Sequence, residues 1–147
     1  MKVTFKAEGK PLGKGRPRVV QRNGKTRAYT PEKTASYEQY IKLCFMTAEG
    51  GNCFRENCYE SPLKLSVKAY YEIPKGFSKK KREAALTPLA SPEIRPGVRP
   101  DIDNVVKAVL DALNKLAFRD DSRVVELQAE KYYADKPYIE VTLENLD

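Results

Sequence analysis

The chain has 147 residues, 41% hydrophobic and 32% charged, a balance that suits one ordinary globular domain with a sizeable core. It contains no histidine, which excludes every Ser-His or Cys-His catalytic arrangement and every His-ligated metal. The net charge of +7 is unevenly spread, with balances of +8 over residues 1–42, +4 over 43–100 and −5 over 101–147; a basic half joined to an acidic half points to a polyanionic partner. Three cysteines, Cys44, Cys53 and Cys58, suit no disulfide framework and leave a tetrahedral zinc site one soft ligand short, so free thiols are expected. No apolar run approaches the roughly 18 residues of a membrane span and the N-terminus has no apolar leader stretch, so the chain reads as cytoplasmic, with no membrane partner.

Val3, Phe5 and Ala7 alternate with polar residues and predict a first strand. A basic loop over about 10–28 follows, where Gly13, Gly15 and Pro17 disfavour regular structure. Its cations, with Lys14, Arg16, Arg18 and Arg22 foremost, suit phosphate tracking, although a merely solvated loop has the same composition. The spacing matches no Walker loop, so a phosphodiester backbone is a better partner than a nucleotide cofactor. Thr30-Pro31 has the form of an N-cap followed by proline at N1, and Tyr37, Tyr40, Ile41, Cys44 and Ala48 predict a helix over about 31–48. The segment 49–62 reads as an irregular connection.

Leu63 to Ile73 gives a period-2 pattern, a strand with one face buried. Ser78 then opens a short basic helix through Leu86, and four prolines at 88, 92, 96 and 100 predict a long loop. Val106, Val109, Leu110, Leu113 and Leu116 form a helical stripe over about 103–116, with Asp103 as N-cap. A strand at about 123–132, a turn around Asp135 to Pro137 and a last strand through Ile139, Val141 and Leu143 complete the chain. The expected fold is α+β, a single domain over 1–147 with a mixed sheet of about four strands and two main helices.

The acidic segment over about 99–127 carries the chemistry. Asp101 and Asp103 flank one residue, Lys107 lies one turn beyond Asp103, Asp111 continues that face, and Asp120-Asp121 follow the helix. Two carboxylates 4 Å apart repel by about 4 kcal/mol at an effective dielectric near 20. A fold that gathers them needs a cation, and Mg²⁺ takes such oxygen ligands. The bland alternative is a capped helix followed by a plain Asp-Asp-Ser turn.

The stretch Asp101-Ile-Asp103-Asn104-Val-Val-Lys107, with Asp111-Ala-Leu-Asn114 and Phe118-Arg-Asp120-Asp121-Ser-Arg-Val-Val125, closely resembles the RusA family of Holliday junction resolvases. The resemblance implies a homodimeric, Mg²⁺-dependent endonuclease, with Mn²⁺ as a possible substitute, that nicks two opposing strands of a four-way DNA junction. It assigns Asp101, Asp103 and Asp121 as essential carboxylates and metal ligands, Lys107 as catalytic lysine and Asp120 as a supporting residue. A catalytically silent DNA-binding relative and a nuclease preferring flaps or forks are the alternatives.

Overall fold

The computed structural model describes residues 1–14, 18–29 and 32–147, so Arg16 and the expected Thr30-Pro31 helix start lie outside the described residues. β1 (Lys2–Glu8) buries Val3, Phe5 and Ala7 as its alternation requires. The basic stretch is not wholly irregular: β2 (Arg18–Arg22) and β3 (Lys25–Tyr29) pair antiparallel as a hairpin. Asn23-Gly24 makes the turn with φ of 53° and 73°, the pair that a two-residue turn with two left-handed residues favours.

α1 (Glu32–Thr47) buries Thr34, Tyr37, Ile41 and Phe45. The segment expected to be irregular after it contains α2 (Gly51–Cys58), which buries Phe54 and Cys58. A Cβ on Gly51 would lie 2.4 Å from the Phe45 carbonyl oxygen, so the close approach of the two helices requires glycine there. β4 (Leu63–Glu72) and α3 (Lys79–Ala85) lie where the pattern puts them, and the Ser78 hydroxyl caps α3 by accepting from the Lys81 amide. α4 (Ile102–Leu113) begins two residues earlier in its capping than expected: Asp101 is its N-cap, and Asp103 sits in the first turn. A 3₁₀ turn over Asp121–Arg123 leads into β5 (Val124–Ala134), and β6 (Tyr138–Asn145) closes the chain.

The four long strands form one mixed sheet in the order β1-β6-β4-β5. β6 runs antiparallel to both β1 and β4, whereas β5 runs parallel to β4 with Leu63 opposite Val124 and Tyr71 opposite Tyr133. The parallel pair is possible because α4 provides the crossover. α1, α2 and α4 cover one face, where Phe45, Phe54, Leu65, Val109, Phe118 and Val141 share a single core. The other face is polar but for a tyrosine ladder: Tyr138 stacks on Tyr70 at 4.3 Å, and Tyr70 on Tyr132 at 5.6 Å. Lys6 lies over one end of the ladder and Arg95 over the other, at 4.9 and 4.0 Å from the ring centroids. No helix among the described residues is long and apolar enough to cross a membrane.

Candidate active site

The loop before α4 is tied to the sheet at three points. The Arg95 Nε donates to the Lys131 carbonyl, the Lys131 Nζ to the Val98 carbonyl at 2.7 Å, and the Tyr71 hydroxyl to the Pro100 carbonyl at 2.6 Å. Asp101 therefore stands over the Tyr71–Tyr133 end of the sheet. Burial, then the nearby Asp101 charge, pushes the Tyr71 hydroxyl up to about 12. From below, the N-terminal segment closes on the same helix end. Gly13 passes so near α4 that a Cβ there would lie 2.9 Å from Asn104 Cβ and 3.1 Å from Pro100 Cβ, and the Lys14 amide donates to the Asn104 carbonyl at 3.0 Å. A cleft of about 580 Å³ opens between Gly13, Lys14, Arg99, Pro100, Asp101 and Asn104.

Asp101 and Asp103 are both exposed at this helix start, where the partial positive charge of the N-terminus favours carboxylates. Lys107 follows one turn along, its side chain 54% exposed. Asp121 is elsewhere. It precedes β5, whose first residue pairs with Leu63 at the opposite end of β4, so roughly 25 Å of strand separates it from the Tyr71 end at about 3.3 Å per residue. Asp101 and Asp103 thus share the start of α4, and Asp121 lies apart from them within one chain. Among the described residues no three acidic or thiol groups converge on a point that could hold a metal ion.

The acidic residues divide by occupation. The carboxylates of Asp101, Asp103 and Asp121 form no hydrogen bond or ion pair with a described residue, and Asp101 caps α4 without a side-chain bond. Asp120 is engaged: its carboxylate accepts from the Ser122 side chain and amide, which holds its pKa below the usual value. Asp111 is engaged on both oxygens, by Lys107 at 3.1 Å and by Lys14 at 3.1 Å. Asp101 and Asp103, two carboxylates without a described partner at one helix start, are oxygen donors of the kind a hard divalent cation takes.

Of the cations expected to meet phosphate, Arg18 opens β2 and Arg22 closes it. Lys14 is already matched, its Nζ 2.6 Å from Glu38 Oε1 as well as 3.1 Å from Asp111 Oδ2. Burial alone would lower its pKa, but the bonds to Glu38 and Asp111 outweigh that and raise it. Glu38 carries no sequence signal for this part, because its partner lies 24 residues away on another element.

The sequence model described as "Endodeoxyribonuclease RusA" matches residues 8–144 of the chain. The chain is 38% identical over 143 residues to "Uncharacterized protein YqaN" of Bacillus subtilis (strain 168), covering 96% of this chain and 94% of that protein. It is 30% identical over 140 residues to "Crossover junction endodeoxyribonuclease rusA" of Lactococcus phage r1t, covering 95% and 93%.

Proposed function

Because the chain belongs to the RusA endodeoxyribonuclease family, we propose that it is a homodimeric, Mg²⁺-dependent nuclease that resolves four-way DNA junctions by paired symmetric nicks. Nucleases of this family are generally divalent-metal dependent. The observation that carries the reading is the pair Asp101 and Asp103 at the start of α4, neither with a described side-chain partner, in a chain with no histidine to do the work instead.

Asp101, Asp103 and Asp121 are the residues that would hold the cation. When bound, a divalent cation polarises a phosphoryl oxygen and lowers the pKa of an attacking water. Lys107, one turn along α4 from Asp103, supplies the ammonium that would offset charge growing on the scissile phosphate. Asn104 and the Lys14–Gly13 backbone wall the cleft against which that phosphate is laid.

The separation of Asp121 from Asp101 supports the dimer. β5 is an edge strand, and Val125 and Leu127 stand 60% and 55% exposed on it. An open apolar edge is a template for another strand. Two copies pairing antiparallel about Leu127 would set Val125 against Ala129 and Glu126 against Gln128, and would carry Asp121 to the second copy's Tyr133. That is the end of the sheet over which Asp101 stands. Each active site is then completed across the two-fold axis, and two sites related by that axis suit a junction that needs two related cuts.

The test is incubation of wild type and Asp103→Asn with a labelled four-way junction, a fork and a linear duplex, with and without Mg²⁺. Metal-dependent paired nicks on the junction, absent from the variant while junction binding persists, are expected. Binding without cutting by wild type would make the chain a silent relative, and equal cutting of fork and junction would remove the junction selectivity.

A further inference from the structure

The Lys14 ammonium is bound within the protein, bridging Glu38 of α1 to Asp111 of α4 at 2.6 and 3.1 Å. Asp111 in turn holds Lys107 through its other oxygen. The four groups form a chain of alternating charge, Glu38–Lys14–Asp111–Lys107, whose net charge is zero. Side-chain exposure rises along it, from 16% at Glu38 through 19% at Lys14 and 22% at Asp111 to 54% at Lys107. This network is therefore anchored in the part-buried seam between α1 and α4 and ends at the surface on the one lysine assigned to the reaction.

We propose that Lys14, acting through Asp111, is a positioning residue that holds the Lys107 ammonium in place for hydrolysis rather than a contact to the DNA backbone. The inference rests on the reading of Lys107 as the lysine facing the scissile phosphate. An isolated Asp–Lys pair one turn apart on a helix is too weak to fix a long side chain. Here the Asp111 carboxylate has only two side-chain torsions and both oxygens are occupied, so its Oδ1 has little freedom to follow Lys107 outward. Lys14 is itself fixed at its backbone by the bond to the Asn104 carbonyl, and no side chain at Gly13 intervenes. A lysine that must meet one phosphate oxygen loses the freedom of four rotors, and a partner that has already oriented it lowers that cost.

The experiment measures single-turnover cleavage of a synthetic four-way junction with Mg²⁺, and junction Kd over a salt series, for Lys14→Met, Asp111→Asn and Glu38→Gln, each alone and in the Lys107→Ala background. Positioning predicts a loss of about 10–100-fold in cleavage rate for Lys14→Met and Asp111→Asn. It also predicts junction affinity within about twofold, an unchanged salt slope, and no further loss when either change is added to Lys107→Ala. Glu38→Gln, which keeps the side-chain shape, should show a smaller loss of the same kind should the other two variants fail to fold. A weaker Kd and a lower salt slope at normal cleavage rate in Lys14→Met would make it a phosphate contact and overturn the proposal. Losses that multiply with Lys107→Ala would likewise overturn it. Normal cleavage by Asp111→Asn beside an inactive Lys107→Ala would refute the positioning alone; normal cleavage by Lys107→Ala would remove the lysine from the reaction and take both readings with it.

Discussion

Mixing two inactive variants separates a site shared between chains from one confined to a single chain. Metal-bound oxygens lie about 2.1 Å from Mg²⁺, hence within about 4–5 Å of one another. Asp121 stands roughly 25 Å along β4 from the Asp101 end, and no rotamer change spans that gap. Asp103→Asn and Asp121→Asn should each be inactive as homodimers. In a heterodimer of the two, one site carries both lesions and the other carries none. Random pairing makes about half of all dimers mixed, so about a quarter of wild-type sites should return, and a heterodimer isolated by two tags should hold one live site in two. Its product should be a single nick on the junction, not the paired cuts of wild type, which a denaturing gel of the doubly labelled junction distinguishes. Leu127→Lys, placed on the β5 edge, should abolish both the dimer in sedimentation and the recovery. Failure of a verified heterodimer to cleave would refute the shared site.

Gly13→Ala should destabilise the protein by about 1–3 kcal/mol in urea denaturation, since its Cβ would press on Asn104 and Pro100 and the loop must lift from α4; a change under about 0.5 kcal/mol would mean the loop yields freely. Arg16→Ala combined with Arg18→Ala should weaken junction binding and lower the salt slope by about two, and an unchanged slope would take both out of the interface. Burial pushes the Tyr37 hydroxyl up to about 12, so the folded state holds this proton more tightly than the unfolded chain. The stability it contributes is complete below pH 10 and is lost as pH rises from 10 to 12, by of order 2–3 kcal/mol. Tyr37→Phe should blunt that alkaline loss in denaturation curves at pH 8 and 11.5, and an identical loss would assign it to other groups.

Strand β4, helix α4 and the last strand were readable because each keeps one apolar face over enough residues to set a period. The hairpin was hidden by its own charge: Arg18, Arg22, Lys25 and Arg27 suggest a loop, while Asn23-Gly24 between them is a strong local turn signal. α2 was hidden for another reason, since Gly51, Asn52 and Asn57 are weak helix formers and the helix is held by burial of Phe54 and Cys58. The Asp-x-Asp segment marked the start of α4 but not which aspartate stands at its N-cap. The parallel run of β5 beside β4 depends on a crossover that no local pattern encodes, and it decides that Asp121 lies far from Asp101. The Glu38–Lys14–Asp111 chain joins three elements distant in sequence and appears only once α1 and α4 pack.

The proline-rich stretch ahead of α4 has a consequence for substrate choice. Arg95, Lys131 and Tyr71 fasten it to the sheet, so it behaves as a strap across β5 and not as a hinge. On the proposed reading the carboxylates at its end are an anvil, set before any DNA arrives, and the accommodation falls on the substrate. Linear duplex is stiff on this scale, with a persistence length of about 150 base pairs, whereas a branch point lets arms pivot where stacking is already interrupted. A nuclease built this way would tell junctions from duplex by how cheaply each can be bent onto a fixed surface, without reading a single base.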